Sequence, residues 1–170
     1  MKLASLFLLL GACKPQMHAI ELASFQPSPP STDDTIYFVL VDRFADGDAS
    51  NNDGVDREDP QGWHGGDIQG VIDQLDHIQS MGFKTVWMSP VFESRDEAFL
   101  EWGAYHGYWP IENRGVESCL GDVDGEADPR LRELITLAHE HGIRVLLDLV
   151  LNHVHEEHAW VSEQPDWFNQ

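Results

Sequence analysis

Ile143-Arg144-Val145-Leu146-Leu147-Asp148-Leu149-Val150-Leu151-Asn152-His153 sets a carboxylate inside an apolar run and closes that run on an amide and an imidazole. The stretch from Ile143 to Leu151 reads as a buried strand, and a carboxylate there costs several kcal/mol unless it is paired or hydrogen-bonded. Upstream, Gly142 stands where a helix should stop. Before it, Leu131, Leu134, Ile135 and Ala138 form one apolar stripe, opened by Asp128-Pro129 as N-cap and first helical residue. Farther back, Thr85-Val86-Trp87-Met88 is a second strand, ended by Pro90. Ile68, Val71, Ile72, Leu75 and Ile78 predict another helix, with Gly82 at its C-cap, and Ile36 to Val41 predict a first strand buried on both faces.

Three apolar strands separated by two amphipathic helices predict an α/β fold with parallel pairing and right-handed crossovers. Residues 42–66 and 91–127 are expected to be loops, and both follow strands. In a β/α barrel such loops lie on the face where chemistry is built. On pattern alone a flavodoxin-like open sheet stays open, since three strands do not reveal closure. A nucleotide-binding fold loses ground because no glycine-rich phosphate loop follows the first strand. At the end of the third strand Asp148, Asn152 and His153 cluster where a parallel sheet is functional. The plain alternative is that Asp148 caps a neighbouring backbone and His153 packs.

Ten Lys and Arg stand against 30 Asp and Glu in 170 residues, a formal charge of −20. That excess repels phosphate backbones and anionic headgroups, so nucleic-acid binding through a basic face is ruled out as a default. A neutral substrate or bound cations suit it. Residues 1–12 carry Lys2, a short apolar run and small residues, the pattern of a secretory signal too short to span a bilayer. Leu10-Gly11-Ala12-Cys13 resembles the lipobox of bacterial lipoproteins, which implies lipidation at Cys13 and an exported chain held at the cell envelope. Residues 13–33, rich in Pro, Ser and Thr, read as a tether, and residues 34–170 as the folded part. With Cys13 lipidated, Cys119 has no internal partner.

The run Asp148-Leu149-Val150-Leu151-Asn152-His153 resembles the DxVxNH region of the α-amylase family, glycoside hydrolase family thirteen. Tyr105-His106-Gly107-Tyr108-Trp109 resembles that family's YHGYW segment, Ser89-Pro90-Val91 its second-strand ending, and Asp42-Arg43-Phe44-Ala45-Asp46-Gly47-Asp48 its DRFxDGD run. The resemblance implies the N-terminal portion, about three βα units, of a TIM (β/α)8 barrel. It implies an α-1,4-glucan as substrate. Tyr108 would be the platform under the sugar at the cleavage point, with His106 and Trp109 beside it. His153 would bond that sugar, Asp148 would orient an active-site arginine on the next strand, and Asn152 would ligate the family's structural calcium. An aromatic ring suits a sugar's C–H face, and His and Asp suit its hydroxyls.

Asp46, Asp48, Asn51, Asn52, the Gly65 carbonyl and Asp67 resemble the additional Ca²⁺ site of cyclodextrin-forming and bacterial amylases. Hard cations take such oxygen sets on flexible loops. The plain alternative is a turn-rich acidic loop. His153, His155 and His158 have a zinc-like HxHxxH spacing, but the run starts on a residue of the amylase motif and no further ligand set is visible. His139 and His141 fall at a helix C-terminus, where a cation meets the negative dipole. Trp63, Trp102, Trp160 and Trp167 fall in expected loops, with sugar stacking and loop packing equally open.

Retaining glycoside hydrolysis needs two carboxyl groups about 5 Å apart. In this family they follow the fourth and fifth strands, with a further Asp after the seventh, and no residue here is assigned to catalysis. A barrel takes about 250 residues, so the chain is expected to be the N-terminal piece of a longer enzyme. Three functions stay open: an α-glucan hydrolase, a cyclodextrin-forming or other transglycosylase, and a non-catalytic glycan-binding lipoprotein.

Overall fold

A computed structural model describes residues 35–95, 102–122 and 128–169. The expected signal, tether and Cys13 lie outside these. Three parallel strands, β1 (Ile36–Val39), β2 (Thr85–Met88) and β5 (Arg144–Leu147), form one sheet in the order β1-β2-β5. The register pairs Phe38 with Trp87 and Trp87 with Leu146.

The helices cover one face. Between β1 and β2 the single expected helix divides into α1 (Ile68–Asp73) and α2 (Leu75–Ser80). At the junction Gln74 leaves helical geometry (φ −101°, ψ 3°), and its N–H donates to Val71 in a tighter turn. The stripe survives the break, since Ile68, Val71, Leu75 and Ile78 are all buried. Helix α3 (Pro129–Glu140) is capped by Asp128, whose Oδ1 accepts from the Leu131 N–H at 2.8 Å. It buries Leu134 and Ala138 against Val39, Val86, Met88 and Ile143. Burial of this kind is worth roughly 1.5–3 kcal/mol per large aliphatic side chain.

The strands depart from expectation in two ways. β1, expected to be buried on both faces, is not: Ile36 (51%) and Phe38 (48%) are exposed, as are Trp87 and Leu146 on the neighbouring strands. Only one face of this sheet carries helices, so on the other face the side chains meet only their strand neighbours, as Phe38 meets Trp87 edge-on at 5.1 Å. The strands are also shorter. β1 ends at Val39, and Val41–Arg43 form a 3₁₀ turn. β5 ends at Leu147, four residues before the expected end, because β2 stops at Met88 ahead of Ser89-Pro90 and offers no further ladder. The Asp148 N–H makes the last contact, to the Met88 carbonyl at 3.1 Å. Leu149 and Leu151 are therefore exposed.

The expected loop 91–127 holds an antiparallel pair, β3 (Phe92–Ser94) with β4 (Pro110–Val116), broken by register shifts. Glu117 locks it: Oε2 accepts from the Ser94 N–H at 2.8 Å and Oε1 from the Ser118 N–H at 2.9 Å. After β5 come α4 (Ala159–Glu163) and a 3₁₀ turn at Pro165–Trp167. Among the described residues no helix is long and apolar enough to cross a membrane.

Candidate functional site

The ends of β1 and β2 are stitched by Ser89: its N–H donates to the Val39 carbonyl at 2.8 Å, and its hydroxyl accepts from the Val41 N–H at 3.2 Å. The turn 105–108 lies against this edge. Gly107 has φ +77°, and a Cβ there would overlap the Pro90 carbonyl, so this turn demands glycine.

Tyr108 is the hub. Its hydroxyl donates to Asp148 Oδ2 at 2.7 Å, just beyond β5. Its carbonyl pairs with His153 Nε2 at 2.9 Å, and since a carbonyl only accepts, Nε2 carries the proton. Its N–H donates to His106 Nδ1 at 2.9 Å. Burial holds His106 below the ordinary imidazole range, which suits a neutral ring with a free lone pair on Nδ1. Burial, with the Asp148 carboxylate behind it, pushes the Tyr108 phenol up to about 12, so it stays a donor at neutral pH. The Trp109 ring meets His106 edge-on at 4.6 Å. A cavity of about 310 Å³ beside them is lined by Trp109, His153, Val154, His155 and Glu156.

The structure thus brings Tyr108, His106, Trp109, Asp148 and His153 together from two distant segments. Asp148 does cap a neighbour, accepting from the Leu149 N–H at 3.0 Å, but through its other oxygen. Asn152 stands exposed. The assembled groups are suited to hydrogen-bonding hydroxyls and stacking on a ring.

In the acidic loop Asp67 is central and buried. It caps α1 through Gly70 N–H at 2.6 Å and accepts from the Gly47 and Asp48 N–H groups at 3.1 and 2.8 Å. Asp48 is engaged by Ser50, whose hydroxyl and N–H hold its carboxyl below the ordinary range. Asp46 accepts from Asn52 Nδ2 at 2.7 Å and pairs with Arg57. Among the described residues no three His, Cys, Asp or Glu side chains gather as a metal-ligating group. Yet Asn51 Oδ1 and Asn52 Oδ1 are buried without a partner, and Asn52 Oδ1 lies against Gly65 (φ +86°), where no Cβ would fit.

The other histidines are dispersed. His155 Nδ1 accepts from the Glu157 N–H and His158 Nδ1 from the Trp160 N–H, each a local backbone cap. His141 bridges helices, with Nδ1 on the Leu137 carbonyl (2.7 Å) and Nε2 on Asp76 (2.9 Å). Trp63 packs on the core, while Trp102, Trp160 and Trp167 are exposed. Asp42 opens the DRFxDGD run but was assigned no role from sequence; it is buried and accepts from the His64 and Gly65 N–H groups at 2.8 and 3.1 Å. Its signal was a charged pair, Asp42-Arg43, directly after an apolar strand.

The family described as "Alpha amylase, catalytic domain" matches residues 38–167. The chain is 40% identical over 123 residues to the beta/alpha-amylase of Paenibacillus polymyxa, covering 70% of this chain and 9% of that protein. It is 37% identical over 132 residues to the periplasmic alpha-amylase of Escherichia coli K12, covering 70% and 19%. Solved structures agree. An Anoxybacillus alpha-amylase superposes with a TM-score of 0.70 at 40% identity, covering 81% of this chain and 28% of that one. The acarbose-complexed alpha-amylase of Geobacillus thermoleovorans gives 0.67 at 36%, with 81% and 28% covered, and a gamma-CGTase from Bacillus clarkii gives 0.65 at 32%, with 72% and 19%. The chain therefore spans less than a third of each of these relatives.

Proposed function

Because this chain belongs to the alpha-amylase catalytic-domain family, we propose that the whole protein cleaves α-1,4-linked glucans and that Tyr108, His106, Trp109, Asp148 and His153 hold the sugar at the cleavage point. The observation that carries this is the Tyr108 hub: one residue ties a ring platform to an imidazole and a carboxylate at the C-terminal edge of a parallel sheet. The paired acids of retaining hydrolysis are proposed to lie on later strands of a complete barrel, and Asp148 is a binding and orienting group. The test is reducing-sugar release from starch by the full-length protein. Tyr108→Ala should reduce kcat/KM at least about tenfold, the scale of losing a stacking contact and a charge-assisted hydrogen bond. Starch retention without sugar release would instead support a glycan-binding lipoprotein. The likeness to a CGTase favours a second reading, transglycosylation, which cyclic products would reveal.

A Ca²⁺ ion is proposed between Asp46, Asp48, Asn51, Asn52, the Gly65 carbonyl and Asp67. The two unpartnered amide oxygens of Asn51 and Asn52 support it, since buried oxygens of that kind need a donor or a cation. Bound there, the ion would pin the loop to the start of α1. Asn152 is proposed for the family's other calcium. Chelator should lower the melting temperature of the full-length protein, and Asn51→Ala with Asn52→Ala should shrink that response to the share left by the Asn152 ion; a double variant that responds as fully as the wild type would reject the site.

Export and lipidation at Cys13 are proposed from the Leu10–Cys13 run alone. Fatty-acid labelling that is lost in Cys13→Ala would support them, and a label-free wild type would reject them.

A further inference from the structure

Arg43 holds together parts of the site that lie far apart in sequence. Its Nε donates to Asp42 Oδ2 at 2.6 Å. One terminal nitrogen, Nη2, donates to the carbonyls of Pro60 at 3.1 Å and Gly62 at 2.7 Å. The guanidinium carbon lies 3.9 Å from the centre of the Tyr105 ring. The same turn is fastened a second time, because the Gly103 N–H donates to the Gln61 carbonyl at 2.8 Å. Tyr105 meets His106 edge-on at 5.4 Å, and His106 accepts the Tyr108 N–H. A continuous row of contacts therefore runs from Arg43 through Tyr105 and His106 to Tyr108.

We propose that Arg43 is a positioning residue for the glucan site. Gripping the 60–62 turn with its fork and the Tyr105 ring with its face, it fixes the turn that presents His106 and Tyr108. This rests on the glucan reading of Tyr108 given above. Two roles of Arg43 are separable. The bond to buried Asp42 serves folding, since that carboxylate would otherwise lose a cationic partner in the interior. The stack on Tyr105 serves the site. With only 23% of its side chain exposed, the stack is stronger than a contact in open water. Lysine cannot replace the arrangement: an ammonium lacks the planar fork needed to reach a carboxylate and two carbonyls while lying on a ring.

Tyr105→Leu tests the positioning role, because it removes the ring and leaves the Arg43–Asp42 bond in place. In the full-length protein, affinity for maltoheptaose is read from the tryptophan-fluorescence change on stopped-flow mixing, ahead of turnover, and folding by the melting temperature. Tyr105→Leu and Arg43→Lys should each weaken binding about threefold to tenfold. Tyr105→Phe, which keeps the ring, should restore it to within about twofold. The His106 imidazole resonances should move in the Leu variant and return in the Phe variant, a response that general loss of stability does not give. Wild-type affinity in Tyr105→Leu would overturn the proposal, and so would equal weakening by Leu and Phe. A wild type that binds no maltoheptaose would overturn the glucan reading as well, whereas a binding wild type with an indifferent Leu variant overturns this proposal alone.

Discussion

Gly107 and Tyr108 are the residues on which the site's shape depends most directly. At φ +77° and pressed on the Pro90 carbonyl, Gly107 has no room for a methyl group. Gly107→Ala should destabilise the protein by about 2 kcal/mol or more, read by denaturant unfolding, and a change below 0.5 kcal/mol would show that the turn relaxes. Tyr108→Phe removes the donor to Asp148 while keeping the ring. The expected loss is about 1 kcal/mol in stability, with weaker glucan binding. The candidate residues themselves were legible in the sequence, because Tyr, His and Asp beside strand ends stand out. Their mutual bonds were not: nothing in residues 105–109 says that Tyr108 will meet Asp148, 40 positions later. That contact exists only after β2 and β5 pair. The role of Asp42 was hidden for a related reason, since its partners His64 and Gly65 come from the far end of a loop.

Among the elements, the α2–α3 contact carries a titratable link. Both partners of His141, the Leu137 carbonyl and the Asp76 carboxylate, are acceptors, so both ring nitrogens must be protonated to satisfy them. The Leu137 carbonyl first, then Asp76, raise the His141 pKa above its usual value. The link's contribution is therefore fully present below the unfolded-state pKa, about 6.5, and is lost as pH rises through the higher folded value. The wild type should lose more melting temperature between pH 6 and pH 9 than His141→Gln does, and equal slopes would refute the link. Asp128→Ala should remove the α3 cap and cost about 1 kcal/mol by denaturant unfolding. Helix α3 was readable because its stripe, cap and stop agree. The break at Gln74 was not, because no Gly or Pro marks it and the apolar spacing continues across it. The β3–β4 pair escaped for want of alternation, and it depends on Glu117 bonding a backbone 23 residues away.

For the molecule as a whole, the sheet has one dressed face. Ile36, Phe38, Trp87 and Leu146 are exposed on the strands, and Leu149 and Leu151 extend the apolar surface past β5. Residues 34–170 produced alone should bind a hydrophobic dye and self-associate, because an apolar face this large attracts a partner. A dye-silent monomer would contradict that. The sequence by itself determined the α/β alternation, the two helix stripes, the helix caps at Asp128 and Gly142, and the residue types capable of holding a sugar or a cation. These follow from local spacing and from chemistry that each residue carries alone. Only the tertiary structure decided how long each strand runs, which sheet face is clothed, and which polar groups meet. Those outcomes depend on pairing between segments dozens of residues apart, where the end of one strand withdraws the hydrogen-bond partners of the next.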